Sequence, residues 1–270
     1  MWIKWLVGGV LLYVAVTALL WRQQERMLFP AKAAPRHNIA ALAAWAIEIT
    51  APDGTVLRGW LHPGATGKTA GDCELLIYFG GNAEEVSDGV LHDGEQFNFP
   101  QLYVNYRGYG QSDGKLSQDA LRQDALLIFD EITARLNIAP DKVGVLGRSL
   151  GTYPAAYLAA HRDIGKLALV TPFDSALNIA RSRYPIFPVK MLLRHPLETT
   201  AVAARVRAPT LFLLAEKDRV VARSRSQNLI NHWPPPHTVM VLPQTTHNHM
   251  QTASYWLALR DFFSNHHDRQ

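Results

Sequence analysis

The sequence predicts an α/β fold on a mostly parallel sheet with helices on both faces, preceded by one apolar segment of membrane length. Three observations carry this. Short, nearly continuous apolar runs alternate with stretches whose apolar residues recur at helical spacing, the pattern of strands buried on both faces and their crossover helices. The 270 residues are 48% hydrophobic and 19% charged, which supplies a sizeable core and too little charge to keep the chain unfolded. Residues 5–21 carry no charge, and these 17 residues are the lower limit for crossing a bilayer at about 1.5 Å per residue.

Taken in order, the first element is that run. Trp2, Trp5 and Trp21 bracket it as interfacial anchors do, with Arg22 and Arg26 directly after. Residues 1–26 therefore read as a single-pass membrane anchor. A cleaved signal peptide is one alternative, since Val16-Thr17-Ala18 offers small residues near a cut, although the run continues through Leu19 and Leu20. A buried core helix is the other. Basic residues lie on both sides of the run, so the side of the membrane that holds the body stays open. The first 36 residues hold five basic residues and one acidic residue, and the rest holds 22 of each. A neutral body gives nucleic acid no electrostatic footprint, so the pI of 9.2 points to the membrane as partner instead. The single cysteine, Cys73, leaves redox location open.

Residues 27–46 read as a connector, and 47–270 as the folded domain. Runs 47–51 and 55–62 flank Pro52-Asp53-Gly54 and predict an antiparallel hairpin. Buried strands follow at 74–79, 102–106, 142–146, 167–170, 210–214 and 238–242, with helices at 117–136, 150–161, 223–232 and 248–263. Residues 172–208 break the alternation. There Pro172, Pro185, Pro188 and Pro196 are scattered among Phe173, Tyr184, Phe187 and Met191, which reads as a short cap inserted over the carboxyl edge of the sheet.

Gly147-Arg148-Ser149-Leu150-Gly151 fits G-x-S-x-G, with an apolar strand leading in and a helix leading out. In such a turn the serine hydroxyl is exposed and the glycines keep side chains clear of strand and helix. A serine is a poor nucleophile near neutral pH, so it requires a histidine to take its proton and an acid to orient the histidine. Both lie downstream in the expected chain order: Asp218 follows the run at 210–214 and His247 follows the run at 238–242. Asp174 is the rival acid, because it too follows a strand; Glu216 and His249 are the near neighbours of the chosen pair. Acyl transfer also needs two backbone donors for the oxyanion. Leu150 is the first by position. Asn82, in Phe79-Gly80-Gly81-Asn82-Ala83, is the second, with Gly81 as its alternative and a helix N-cap as the structural role of Asn82. No metal or nucleotide motif is present, so neither metal nor cofactor is expected.

These motifs, with Met27-Leu28-Phe29-Pro30, Asn105-Tyr106-Arg107-Gly108-Tyr109-Gly110-Gln111-Ser112-Asp113-Gly114 and Pro172-Phe173-Asp174-Ser175, resemble the α/β-hydrolase superfamily, in the branch with an N-terminal membrane segment and a short cap. Gly80 departs from the histidine usual at its place in the oxyanion loop, and Ala215 from the glycine that commonly begins the acid loop. Membrane-tethered members include protein depalmitoylases, and others are serine aminopeptidases. The resemblance implies a serine hydrolase that cleaves a carboxylic ester or thioester of a small or acylated substrate through an acyl-enzyme. A serine aminopeptidase, or a catalytically silent hydrolase fold acting as a membrane-tethered binding module, is the alternative.

Overall fold

The computed structural model describes residues 2–33, 35–65, 73–234 and 236–264; Met1 and residues 265–270, the ends of the expected anchor and domain, lie outside them. The chain opens with α1 (Trp2–Leu28) and α2 (Arg36–Ala41) and enters the sheet through the hairpin of β1 (Ala46–Thr50) and β2 (Val56–His62). Then follow β3 (Leu75–Phe79), α3 (Ser87–Asp93), β4 (Gln101–Val104), α4 (Gln118–Leu136), β5 (Val143–Arg148), α5 (Thr152–Ala159) and β6 (Lys166–Val170). Three short helices, α6 (Ala176–Arg183), α7 (Val189–Leu192) and α8 (Thr200–Ala203), make the segment before β7 (Thr210–Ala215). The domain closes with α9 (Arg223–Ile230), β8 (His237–Leu242) and α10 (Ala253–Ser264).

One eight-stranded sheet runs β1-β2-β4-β3-β5-β6-β7-β8, antiparallel across the first three strands and parallel from β4 onward. The continuous apolar runs are explained by burial on both faces. Leu167 and Leu169 of β6 point into one core with α4, α5 and α9, while Ala168 and Val170 point into a second core with α10. Phe212 and Leu214 are divided from Leu211 and Leu213 of β7 in the same way.

Several strand and helix ends shift by one or two residues from the sequence reading, as where β4 stops at Val104 instead of residue 106, and three differences bear on the site. Residues 248–252 form a loop and α10 begins at Ala253, which leaves His247 on an irregular segment. The helix expected from Leu150 opens with a 3-10 turn at residues 149–151 before α5. Asn82 is not an N-cap, because α3 starts five residues later at Ser87 and residues 82–83 are a turn with Ala83 at φ 63°.

The first helix behaves unlike the rest. It is long and apolar enough to cross a bilayer, with mean hydropathy 2.0 over its best window, and none of its residues is buried. Tyr13, Thr17, Leu20, Gln24 and Leu28 recur at three- and four-residue intervals and form the stripe that faces the remainder of the protein.

Candidate active site

The carboxyl ends of β3, β5, β7 and β8 bring four loops to one place. β5 ends at Arg148, and Ser149 turns the chain at φ 51°, a left-handed conformation that a non-glycine residue holds only under constraint. The constraint is the closeness of the elements on either side. A side chain at Gly151 would put its Cβ 2.0 Å from the Phe79 carbonyl oxygen, and one at Gly147 would lie 2.5 Å from that of Gly151. Only glycines let the strand, the elbow and α5 stack this tightly.

His247 reaches Ser149 from the loop after β8. Its Nε2 lies 2.9 Å from Ser149 Oγ, and its Nδ1 lies 2.8 Å from Asp218 Oδ2. The imidazole and the carboxylate side chains are each 7% exposed, so water competes little for either contact. Asp218 is aimed by its other oxygen, which accepts from the N–H groups of Val220 and Val221, both at 2.8 Å. With the proton on Nδ1 held by Asp218, Nε2 is left as an acceptor for the serine proton.

The rival groups are engaged elsewhere. Asp174 is fully buried and accepts from Asn178, Arg225, Asn228 and its neighbour Ser175 N, while its carbonyl receives Thr199 N; it fastens the base of the cap. Glu216 accepts from Gln244 N, and His249 faces Thr246.

The donor loop after β3 is gripped by side chains that the sequence reading passed over. Glu84 Oε2 accepts from Gly81 N at 2.6 Å and from Arg148 Nη1 at 2.9 Å, and Glu84 Oε1 accepts from Tyr78 Oη at 2.6 Å. Tyr106 Oη donates to Gly80 O at 2.8 Å. Burial first, and then the neighbouring Glu84 charge, push the Tyr78 and Tyr106 hydroxyls well above the ordinary phenol range, so both stay donors. Gly81 N–H is thereby committed to Glu84, whereas Asn82 lines the cavity beside Ser149 and Leu150. A glutamate three residues after Gly81 and an arginine inside G-x-S-x-G were the available signals.

A cavity of about 450 Å³ opens from Ser149 and Asn82. Phe173, Phe187 and Leu192 wall it from the segment between β6 and β7, and Leu20 walls it from α1. Among the described residues no group of three or more His, Cys, Asp or Glu is placed to hold a metal ion. Chemically, the arrangement can deprotonate a hydroxyl at the end of an apolar chamber.

Sheet order, elbow and converging loops define an α/β-hydrolase-fold protein. No family model matches the chain. It is 28% identical over 240 residues, 86% of this chain and 83% of the relative, to an uncharacterized protein of Mycobacterium tuberculosis. It is 26% identical over 245 residues, 79% of this chain and 76% of the relative, to the alpha/beta hydrolase domain-containing protein WAV2 of Arabidopsis thaliana. Among solved structures, an esterase of Pyrococcus furiosus matches with a TM-score of 0.65 at 14% identity, covering 87% of this chain and 96% of that one, a likeness of fold.

Proposed function

We propose that the chain is a membrane-held serine hydrolase that cleaves carboxylic esters or thioesters through an acyl-enzyme on Ser149. The observation that supports this most is the relay from Ser149 Oγ through His247 to Asp218, at 2.9 and 2.8 Å, at the end of an apolar cavity. His247 Nε2 takes the hydroxyl proton as Oγ bonds to the carbonyl carbon, and the carbonyl electrons move onto its oxygen. Leu150 N–H and Asn82 N–H receive that oxyanion. Collapse re-forms the carbonyl and breaks the C–O or C–S bond, with the proton on Nε2 passing to the leaving oxygen or sulfur. Water then attacks the acyl-enzyme with His247 again as base, releasing the acid and restoring Ser149. Asp218 orients the imidazole and stabilises its charged form. The span of α1, apolar and unburied, supports a membrane anchor.

A fluorophosphonate probe is expected to label the folded chain at Ser149, and Ser149→Ala is expected to abolish labelling and lower kcat on nitrophenyl esters by about 10⁴-fold or more. Undiminished turnover by Ser149→Ala overturns the nucleophile. A screen of ester, thioester and amide leaving groups on one acyl chain then fixes the bond cleaved.

A further inference from the structure

The contacts of α1 with the segment between β6 and β7 change character along the helix. Tyr13 Oη donates to Ile186 O at 2.9 Å, and its ring stacks on Phe187 with centroids 5.5 Å apart. Eight residues on, about 12 Å along the helix axis, the Arg194 guanidinium lies over the Trp21 ring at 4.2 Å. Beyond it Gln24 exchanges hydrogen bonds with Leu192 O and Arg194 N, and Glu25 pairs with Arg194 and Lys115. The order from apolar to charged along α1 is repeated by its partners.

Tyr13 sits at the middle of the uncharged run 5–21. A helix that crosses a bilayer carries with it whatever is bonded to its middle, and Ile186 cannot hold Tyr13 from the water. We propose that residues 184–193 are seated in the leaflet that holds the C-terminal half of α1, and that the cavity of Ser149 opens through the seam between them, so that the substrate is an ester whose long acyl chain already lies in the bilayer. This rests on the readings of α1 as a membrane segment and Ser149 as nucleophile.

The seated segment suits hydrocarbon in its low charge and in most of its backbone. It carries one charge, Lys190, whose four-carbon stem reaches outward. Ile186 and Met191 are 71% and 85% exposed to what surrounds the protein. Backbone groups in lipid have no water to turn to. Here Pro185 and Pro188 have no N–H, and the N–H groups of Tyr184, Phe187, Val189, Met191 and Leu193 are all bonded within the segment or to Ala180. Charge agrees with this placement. Residues 181–194 hold four basic residues and no acidic one, and Arg22 and Arg26 follow the apolar run of α1. The basic end therefore faces the anionic headgroups. The cavity completes the path, because Leu20 of α1 and Phe187 and Leu192 of the segment wall the same space that ends at Ser149.

The test uses the full chain in vesicles of phosphatidylcholine and phosphatidylglycerol, with a polarity-sensitive fluorophore on Leu12→Cys, Ile186→Cys, Met191→Cys or Leu257→Cys; native Cys73 is buried. Nitroxide lipids labelled on the acyl chain are expected to quench residues 12, 186 and 191 several-fold more than residue 257 on α10. Quenching at residue 12 with residues 186 and 191 behaving like 257 overturns the seating. Absence of quenching at residue 12 as well removes the membrane reading of α1, and this proposal with it. Quenching at 186 and 191 in a chain whose Ser149 takes no fluorophosphonate keeps the seating and overturns substrate delivery. For the path, Leu20→Trp is expected to lower the ratio of kcat/KM for nitrophenyl palmitate over butyrate at least tenfold; an unchanged ratio overturns it.

Discussion

β6 and α1 are both apolar segments, and the molecule treats them oppositely. All five residues of β6 are buried, its side chains divided between two cores, whereas α1 has no buried residue in 27. Apolar composition alone therefore did not decide burial. Position did: β6 has helices over both of its faces, and α1 meets the protein along one stripe. The candidate site lies where the two regimes meet, with its reacting groups on sheet-borne loops and one wall of its chamber on α1.

The contrast can be broken most severely on the sheet side. Asp218→Asn is expected to cut kcat by about 10⁴-fold, since the amide disfavours the tautomer that leaves Nε2 free, with little change in melting temperature. Asp174→Asn should do the reverse, loosening the cap base while kcat stays within about tenfold. A larger catalytic loss at Asp174 would exchange the roles of the two acids.

Next in size comes a direct comparison of burial. Leu169→Ala, at a side chain with no exposed surface, should cost about 2–5 kcal/mol in denaturant unfolding, and Leu11→Ala on α1, 63% exposed, should cost nothing measurable in detergent. Equal losses would mean that α1 is covered by protein after all. Smaller again is Glu84→Gln, which keeps the shape but loses the charge that grips Gly81 and Arg148; a 10- to 100-fold fall in kcat with KM little altered is expected, short of losing an oxyanion donor outright.

The smallest effect is a pH dependence. Burial, and then the Glu84 charge, raise Asp93 to about 6 from its ordinary 3.8. The unfolded carboxyl releases its proton near 3.8 and the folded one near 6, so between these values the native state binds more protons and stability falls as pH rises. Above about pH 6 the cost is complete. Asp93→Asn should then stabilise the chain by about 1–2 kcal/mol at pH 7.5, less than the full shift implies because the group is partly exposed, and by nothing near pH 4. Melting curves at the two pH values check it. Asp93 accepts from Gln251, in the loop that carries His247, so the substitution acts close to the site.

The buried strands were legible because burial on both faces writes itself as a short apolar run, as at residues 167–170 and 210–214. Ser149, Asp218 and His247 were legible as loop residues after such strands, in an order tied to the elbow motif. What failed to show were distant pairings that no motif marks. Glu84 and Arg148 lie 64 residues apart, and each by itself reads as a surface charge. Asn82 looked like a helix opener because Asn favours caps, but Gly81 N–H was taken by Glu84 and the chain turned through Ala83 instead. The facing stripe of α1 was hidden for a related reason: a helix apolar all round gives no sign of which side touches protein.

The Glu84 carboxylate holds the tip of β3 to the tip of β5, and Arg148 continues the hold by donating to the His247 carbonyl at 3.4 Å. Three strand ends are thus fastened by one ionic buckle beneath the reaction centre. Neither Glu84 nor Arg148 lines the chamber, so the nucleophile, the base and the donor loop are held in mutual register by side chains that a ligand there does not touch.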